Sequence, residues 1–282
     1  MRIVDFKSVV KNYNVIFFDA YGVLKNSSGL IDGIKSTFDY LNSTNTNFYI
    51  LTNDASRGPV ELAQSYKDAG LPQITPGKII SSGMLAREYL RYKVKSGTIA
   101  YLGTDNSAHY IEELGMKTIS IADVDIHDVA DISALVLLDD EGFDWNYDLS
   151  KVVNLLRKKS IPVIVANTDA SYPVSRDQVA IAVGSIADMV ENILGRTFIK
   201  FGKPDAQMFN FAYEHISDGK IIPRNKILMV GDTLFTDIIG GNKFGIDTAL
   251  VLTGNTSPEN YKSRIKSSGI IPDYICESAV ID

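Results

Sequence analysis

Short apolar runs alternate along the chain with longer stretches that carry apolar residues at helical spacing. The runs are typical of strands buried on both faces, and they cover residues 15–18, 48–51, 78–81, 98–102, 134–138, 163–166, 227–230 and 248–252. The helical spacing predicts helices over residues 33–41, 59–69, 84–92, 151–159 and 205–215. This alternation predicts an α/β fold with mostly parallel sheets covered by helices, closed at 257–275 by a helix and an edge strand.

Polar side chains stand where several of these strands end. Asp19 and Thr52 each follow a predicted strand directly, and Asp232 follows another after Gly231. Lys203 stands just before the predicted helix that begins at Asp205. Because the carboxyl ends of parallel strands meet at one edge of a sheet, we expect these side chains to lie together.

This set of side chains suits phosphoryl transfer. A carboxylate such as Asp19 can attack phosphorus and form an aspartyl-phosphate. A hydroxyl and an ammonium group, here Thr52 and Lys203, can stabilise the charge on the phosphoryl oxygens. Mg²⁺ prefers carboxylates, carbonyls and water, and its predicted ligands are Asp19, the backbone carbonyl of Tyr21, Asp232 and Asp237.

Composition excludes some classes of function and names none. The chain has 282 residues, of which 45% are hydrophobic, and a net charge of −6, which argues against a nucleic-acid or membrane-surface partner. No apolar run approaches the ~20 residues that span a bilayer. Cys276 is the only cysteine, so no intramolecular disulfide can form. Together these features favour a cytoplasmic protein.

The four polar segments, in this order, resemble the motifs of the haloacid dehalogenase (HAD) superfamily, whose members are mostly phosphatases. The first motif matches at Asp19, the second at Thr52, the third at Lys203, and the fourth at Asp232 and Asp237. The resemblance covers nearly the whole chain. It implies an Mg²⁺-dependent hydrolase with a Rossmann-like core.

The spacing of the motifs predicts where a second domain is inserted. Thr52 follows Asp19 by 33 residues (52 − 19), whereas Lys203 follows Thr52 by 151 (203 − 52). The chain therefore resembles NagD-like members (subfamily IIA), which carry an α/β cap of the C2 type between the second and third motifs. We predict a catalytic core at 1–82 and 198–282 and a substrate-specificity cap at 83–197. The resemblance also implies a small phosphorylated metabolite as partner, from the sugar phosphates, nucleotides or pyridoxal phosphate, and a homodimer.

One position departs from the phosphatase pattern. Phosphatases of this family usually carry a second aspartate two residues after the nucleophile, where this chain has Tyr21. Tyrosine is a poor general acid because its pKa is about 10. True 2-haloacid dehalogenases also have tyrosine there, but they need no metal and carry their cap after the first motif. A dehalogenase, or a binding protein with little turnover, is therefore an alternative to a phosphatase that recruits its acid from the cap or the substrate.

Several further residues are candidates for contact with substrate, and each also has an ordinary structural explanation. Gly22 can serve a tight turn beside the site. Asn53 and Asp54 can orient the phosphate or simply form a turn, and Arg57 can bind substrate or start a helix. In the cap, Asn167 and Asp169 follow a predicted strand and can face the core across the cleft. The acidic residues at 139–141 are interpreted as a solvated loop.

Overall fold

The computed structural model describes residues 2–175, 178–217, 219 and 221–282. Their strands, in chain order, are β1 (Val15–Phe18), β2 (Lys25–Asn26), β3 (Gly29–Leu30), β4 (Asn47–Thr52), β5 (Ile79–Ser81), β6 (Thr98–Leu102), β7 (Lys117–Ser120), β8 (Ile132–Leu137), β9 (Val163–Val165), β10 (Ser171–Ser175), β11 (Gln178–Ile181), β12 (Ile199–Lys200), β13 (Ile227–Gly231), β14 (Asp247–Val251) and β15 (Tyr274–Cys276). The α-helices are α1 (Phe6–Val10), α2 (Ile34–Ser43), α3 (Pro59–Asp68), α4 (Ser82–Lys93), α5 (Asp105–Glu112), α6 (Tyr147–Lys158), α7 (Val183–Leu194), α8 (Ala206–Ser217), α9 (Ile239–Phe244) and α10 (Tyr261–Ser268). None of the helices within these ranges is long and apolar enough to cross a membrane.

The first sheet has six strands in the order β15-β14-β13-β1-β4-β5, and all its pairs are parallel. The chain runs outward from β1 to β4 and β5 on one side, and later fills the other side with β13, β14 and β15. The strand order therefore reverses beside β1. In open α/β sheets, ligands bind at the carboxyl ends of the strands at such a reversal, and Asp19 is the residue that follows β1.

The second sheet has five parallel strands in the order β12-β9-β8-β6-β7. All of them come from the chain between β5 and β13, so this sheet is an insertion between the two halves of the first. Its last strand ends at Lys200, three residues beyond the predicted cap boundary at 197. The predicted α/β fold, with its parallel core sheet and inserted α/β unit, is confirmed.

Side chains of the central strands explain why the strands form. All four residues of β1 are buried, and Phe17 and Phe18 are fully so, because helices cover both faces of the first sheet. The two aromatic rings enter different parts of the core, Phe18 against α2 and Phe17 towards α8. Because β1 is packed on both faces, its position in the sheet is fixed, and so is the position of Asp19 at its carboxyl end.

Two hairpins lie outside the large sheets. β2 and β3 form a short antiparallel flap directly after β1, and β10 and β11 form a second hairpin after β9. The flap contains Lys25, whose backbone carbonyl accepts a hydrogen bond from the Gly22 N–H at 2.8 Å. The first hairpin follows β1 and the second follows β9, and the carboxyl ends of both strands face the candidate site described below.

Candidate active site

A cavity of about 280 Å³ lies between the carboxyl ends of the two sheets. From the first sheet, its wall includes Asp19 after β1, and Thr52 at the end of β4. Seven residues predicted from the sequence line the cavity, namely Asp19, Tyr21, Thr52, Asp54, Arg57, Asn167 and Asp169. The cap strands contribute further residues that follow β6, β8 and β9, so the strand ends of the two sheets face each other across this space.

Lys203 forms the floor of the site with two carboxylates. Its Nζ lies 2.6 Å from Asp19 Oδ1 and 2.8 Å from Asp237 Oδ1. The side chain of Lys203 is 1% exposed and that of Asp237 is fully buried, whereas the side chain of Asp19 keeps 16% of its surface open. Burial opposes the charge of Lys203, but the carboxylates of Asp19 and Asp237 outweigh it and raise the lysine pKa. The lysine therefore stays an ammonium beside the exposed oxygen of Asp19.

Asp232 lies next to this group and is held by the loop that follows β14. Its Oδ1 accepts a hydrogen bond from Thr233 Oγ1 at 3.1 Å, and its Oδ2 accepts one from the Asn255 N–H. Burial and the charge of Asp19 raise the pKa of Asp232 to about 7. Burial also raises the pKa of Asp237, although Lys203 opposes that change. With all three carboxyl groups ionised, the site would hold more negative charge than its one buried ammonium balances, which opposes their ionisation in the absence of a further cation.

The donor set fits a divalent metal ion. One oxygen from each of Asp19, Asp232 and Asp237 comes within 4.8 Å of the others. Oxygen-only ligands suit a hard cation such as Mg²⁺ or Ca²⁺, and three carboxylates against one ammonium leave a charge that a divalent cation would neutralise. Asp237 already accepts a hydrogen bond on each oxygen, from Lys203 and from the Thr233 N–H. Both oxygens of Asp232 also accept hydrogen bonds, so Asp19, whose side chain is 16% exposed, has the most accessible oxygen of the three.

Asn53 joins three segments of the site and does not line the cavity. Its Nδ2 donates to the Lys203 carbonyl at 3.1 Å and to Asp169 Oδ1 at 2.9 Å, while its Oδ1 accepts from the Lys203 N–H at 2.7 Å. Thr168 Oγ1 also donates to the Lys203 carbonyl. The side chain is buried, and its polar atoms bind protein groups. The structure thus places Asn53 as a connection between the core and the cap, and not in the predicted contact with substrate.

Tyr21 lines the cavity and packs against the cap. Its ring centroid lies 5.9 Å from that of Tyr172 in β10, and Tyr172 donates a hydrogen bond to Asp140 Oδ2 at 3.0 Å. On the core side, Lys25 Nζ lies 4.5 Å from the Tyr21 ring centroid. Burial, followed by the negative charge of Asp54, raises the pKa of Tyr21. The Tyr21 side chain is therefore protonated, and its ring forms the part of the cavity wall that lies between the β2–β3 flap and the cap.

Sequence reasoning missed several residues that shape the site. Asn255 and Thr233 position Asp232, and Tyr172, Thr104 and Asp139 line the cavity from the cap. The strand-end rule could have drawn attention to Asn255, because it lies in the loop that follows β14. The same rule brings 139–141, interpreted from the sequence as a solvated loop, to the cavity wall. Tyr172 had no such signal, because it lies in a hairpin.

The turn at Gly22 requires glycine for two reasons. Its φ is +77°, and a Cβ there would lie 2.4 Å from Asp232 Oδ2. We expect Gly22→Ala to destabilise the protein by more than the ~1–2 kcal/mol of a left-handed conformation alone, because Asp232 must also move. Urea denaturation should compare it with Gly269→Ala, where φ is +70° and a Cβ would meet nothing within 4 Å. Equal losses in the two variants would contradict the close approach of Gly22 to Asp232.

Comparisons with known proteins decide the family. The model described as haloacid dehalogenase-like hydrolase matches residues 16–117, and one described as HAD-hydrolase-like matches residues 200–279. The solved structure of a possible sugar phosphatase of the HAD superfamily from Cytophaga hutchinsonii is 57% identical, with a TM-score of 0.95, over 100% of this chain and 99% of its own. The chain belongs to the haloacid dehalogenase superfamily. The stretch that neither model matches, 118–199, holds much of the second sheet.

More distant relatives also align with this HAD hydrolase over nearly the full length of both chains. A glycerol-3-phosphate phosphatase from Gallus gallus is 27% identical over 96% of this chain and 91% of its own. The structure of a 4-nitrophenylphosphatase from Thermotoga maritima is 25% identical, with a TM-score of 0.79, and covers 96% of both chains. The predicted membership of the NagD-like group is confirmed.

Proposed function

We propose that this HAD hydrolase is an Mg²⁺-dependent phosphohydrolase that acts on a small phosphorylated metabolite through an aspartyl-phosphate. The observation that carries the proposal is the position of Asp19. Its carboxylate leaves the sheet where the strand order reverses, touches the ammonium of Lys203 and faces the cavity. Relatives named as phosphatases support phosphoester hydrolysis as the reaction class.

In the proposed reaction, Asp19 attacks phosphorus with its cavity-facing oxygen. Lys203 neutralises charge on the phosphoryl oxygens. Thr52 Oγ1 already accepts a hydrogen bond from the Asp54 N–H at 3.1 Å, which leaves its hydroxyl hydrogen to donate to the phosphoryl group. The cap side of the cavity holds the rest of the substrate and excludes bulk water.

Asp19, Asp232 and the backbone carbonyl of Tyr21, with Asp237 beside them, are the groups that would hold Mg²⁺. When bound, the ion would act as a Lewis acid that offsets the negative charge of the transferring phosphoryl group. Without a cation, the carboxylates of the site would repel a phosphate dianion. This charge balance is the reason for proposing a metal-dependent reaction.

The cavity supports a small substrate. Its volume of about 280 Å³ is just below the ~300–1,000 Å³ that pockets for small molecules span. Sugar phosphates, nucleotides and pyridoxal phosphate are the classes we propose to test first. The cytoplasmic location and the homodimer stay predictions.

The experiment is phosphate release from p-nitrophenyl phosphate and a panel of phosphorylated sugars, nucleotides and pyridoxal phosphate, with Mg²⁺ and with EDTA. We expect turnover that needs Mg²⁺, because the buried carboxylates require a cation before a phosphate can approach. Calcium serves as a matched control, since it offers the same charge with a less rigid ligand geometry. Turnover at full rate in EDTA would contradict the proposal.

Tyr21 favours a hydrolytic dehalogenase as the second candidate, because tyrosine follows the nucleophile in enzymes of that kind. In that reaction Asp19 would attack carbon and displace a halide. Halide release from 2-chloropropionate in EDTA, together with no phosphate release in Mg²⁺, would establish this alternative. Tight binding of a phosphorylated metabolite without turnover would instead indicate a binding protein.

A further inference from the structure

The position two residues after Asp19 does not supply a good proton donor. When a phosphoester P–O bond breaks, an alkoxide leaving group needs a proton in the transition state. A phenol has an ordinary pKa of about 10, so Tyr21 gives up a proton far less readily than the carboxyl of an aspartate would. The proposed reaction therefore requires another acid near the leaving oxygen.

Asp54 lies beside Tyr21 on the neighbouring strand end. β1 and β4 are parallel, with Phe18 opposite Ile50. Tyr21 is the third residue after β1, and Asp54 is the second residue after β4. The cavity wall includes Asp54 together with Asp19 and Tyr21.

The Asp54 carboxyl is held in one orientation. Its Oδ1 accepts hydrogen bonds from the Ser56 N–H at 2.9 Å and from Ser56 Oγ at 2.6 Å. Within the part of the chain that the structure describes, no protein donor hydrogen-bonds Oδ2, and the residue is half-buried at the cavity wall. One oxygen is therefore anchored while the other is available to a substrate.

The other carboxylates of the wall belong to the inserted unit. Asp139, Asp140 and Glu141 follow β8, and Asp169 follows β9. Asp169 Oδ1 is already occupied by the hydrogen bond from the Asn53 side chain, and the distance of the other three from Asp19 depends on how the two sheets are placed relative to each other. Asp54 and Asp19 instead follow β4 and β1, which are paired neighbours in one sheet, so their separation does not depend on the placement of the cap. A proton carrier needs this kind of fixed geometry.

We propose that Asp54 is the general acid and base of this enzyme, in place of the aspartate that Tyr21 replaces. The assignment rests on the proposed phosphohydrolase function. In the first step, the Asp19 oxygen bonds to phosphorus, the bond from phosphorus to the leaving oxygen breaks, and the Asp54 carboxyl gives its proton to that oxygen. In the second step, water attacks phosphorus, its proton passes to the Asp54 carboxylate, and the bond from Asp19 to phosphorus breaks to release phosphate.

Asp54→Asn tests the assignment, because the amide can keep the hydrogen bonds from Ser56. We compare kcat/KM for glycerol phosphate, whose alkoxide needs a proton, with kcat/KM for p-nitrophenyl phosphate, whose phenolate does not. The glycerol phosphate value should fall ~10²–10⁴-fold, and the p-nitrophenyl phosphate value far less. With p-nitrophenyl phosphate, kcat should still fall after a burst of nitrophenolate, because water attack on the aspartyl-phosphate loses its base.

Two further variants separate a catalytic from a structural role. Tyr21→Phe, the matched control, should leave the ratio of the two kcat/KM values unchanged. Tyr21→Asp placed in the Asp54→Asn background should restore glycerol phosphate hydrolysis, because it returns a carboxyl to the neighbouring position. Thermal unfolding of each variant checks that the fold is intact.

Three results would overturn the assignment. Asp54→Asn could lower both kcat/KM values equally, which would indicate a structural role, or leave both unchanged. Alternatively, Tyr21→Phe could lower kcat/KM for glycerol phosphate much more than kcat/KM for p-nitrophenyl phosphate, which would identify the Tyr21 phenol as the general acid. If the unmodified enzyme hydrolyses neither substrate with Mg²⁺, the proposed phosphohydrolase function fails, and the role of Asp54 fails with it.

Discussion

Replacement of Asp19 by asparagine is expected to lower kcat for phosphate release by ~10⁴–10⁶-fold, the scale seen when a catalytic nucleophile is removed. A carboxamide is a weak nucleophile towards phosphorus and brings no negative charge to a cation. The new side chain has nearly the same shape, and Lys203 keeps its second carboxylate partner, Asp237. Steady-state kinetics with p-nitrophenyl phosphate in Mg²⁺ would measure the loss.

The matched control for Asp19→Asn is Asp140→Asn. Asp140 lines the same cavity from the cap, and its carboxylate accepts a hydrogen bond from Tyr172. We expect this variant to change KM more than kcat, since the side chain lines the cavity from the cap, where the proposed reaction places the part of the substrate away from phosphorus. An Asp19→Asn enzyme that retained the activity of Asp140→Asn would rule out Asp19 as nucleophile.

Replacement of Lys203 by methionine is expected to destabilise the protein by ~3–5 kcal/mol, as for other buried ion pairs that lose one partner. The ammonium lies between Asp19 and Asp237 and is 1% exposed. Methionine fills much of the same space but leaves carboxylates buried without their cation. Urea denaturation in metal-free buffer would measure the change in the free energy of unfolding, and phosphate release should also fall steeply.

Two controls make the Lys203 prediction specific. Lys200→Met removes a partly exposed lysine that pairs with Asp188 and Glu191, and it should cost no more than ~1 kcal/mol. Adding Asp237→Asn to Lys203→Met should recover part of the lost stability, because it removes one buried carboxylate that has lost its ammonium partner. A Lys203→Met protein as stable as Lys200→Met would contradict the buried ion pairs.

The sequence predicts the central strands well because their burial is visible in a short, continuous stretch of apolar residues. Strands such as β1 and β13 are buried on both faces and read as continuous apolar runs. The strands that the pattern missed lack this signal. β7 is only partly buried along its length, and β11 is largely exposed in a two-stranded hairpin. The C-terminal helix and edge strand, predicted for a polar and weakly patterned stretch at 257–275, are present as α10 and β15.

The floor of the site could also be anticipated, because one rule about parallel strand ends brings its residues together. Asp19, Asp232 and Asp237 meet as expected, and Lys203 joins them. The rule does not say which polar atoms face the cavity. The side chain of Asn53 forms its hydrogen bonds with residues more than 100 positions away, such as Asp169 and Lys203. Such long-range pairings depend on how the inserted sheet packs on the core, which no local pattern encodes.

The most direct test of the central claim is to trap the covalent intermediate. The enzyme is mixed with p-nitrophenyl phosphate and Mg²⁺ and quenched in acid, and its peptides are analysed by mass spectrometry. The account predicts a phosphoryl group on the peptide that contains Asp19, more of it in Asp54→Asn than in the unmodified enzyme, and none in Asp19→Asn. Steady turnover with no phosphoryl group on Asp19, or with the group on another residue, would contradict it.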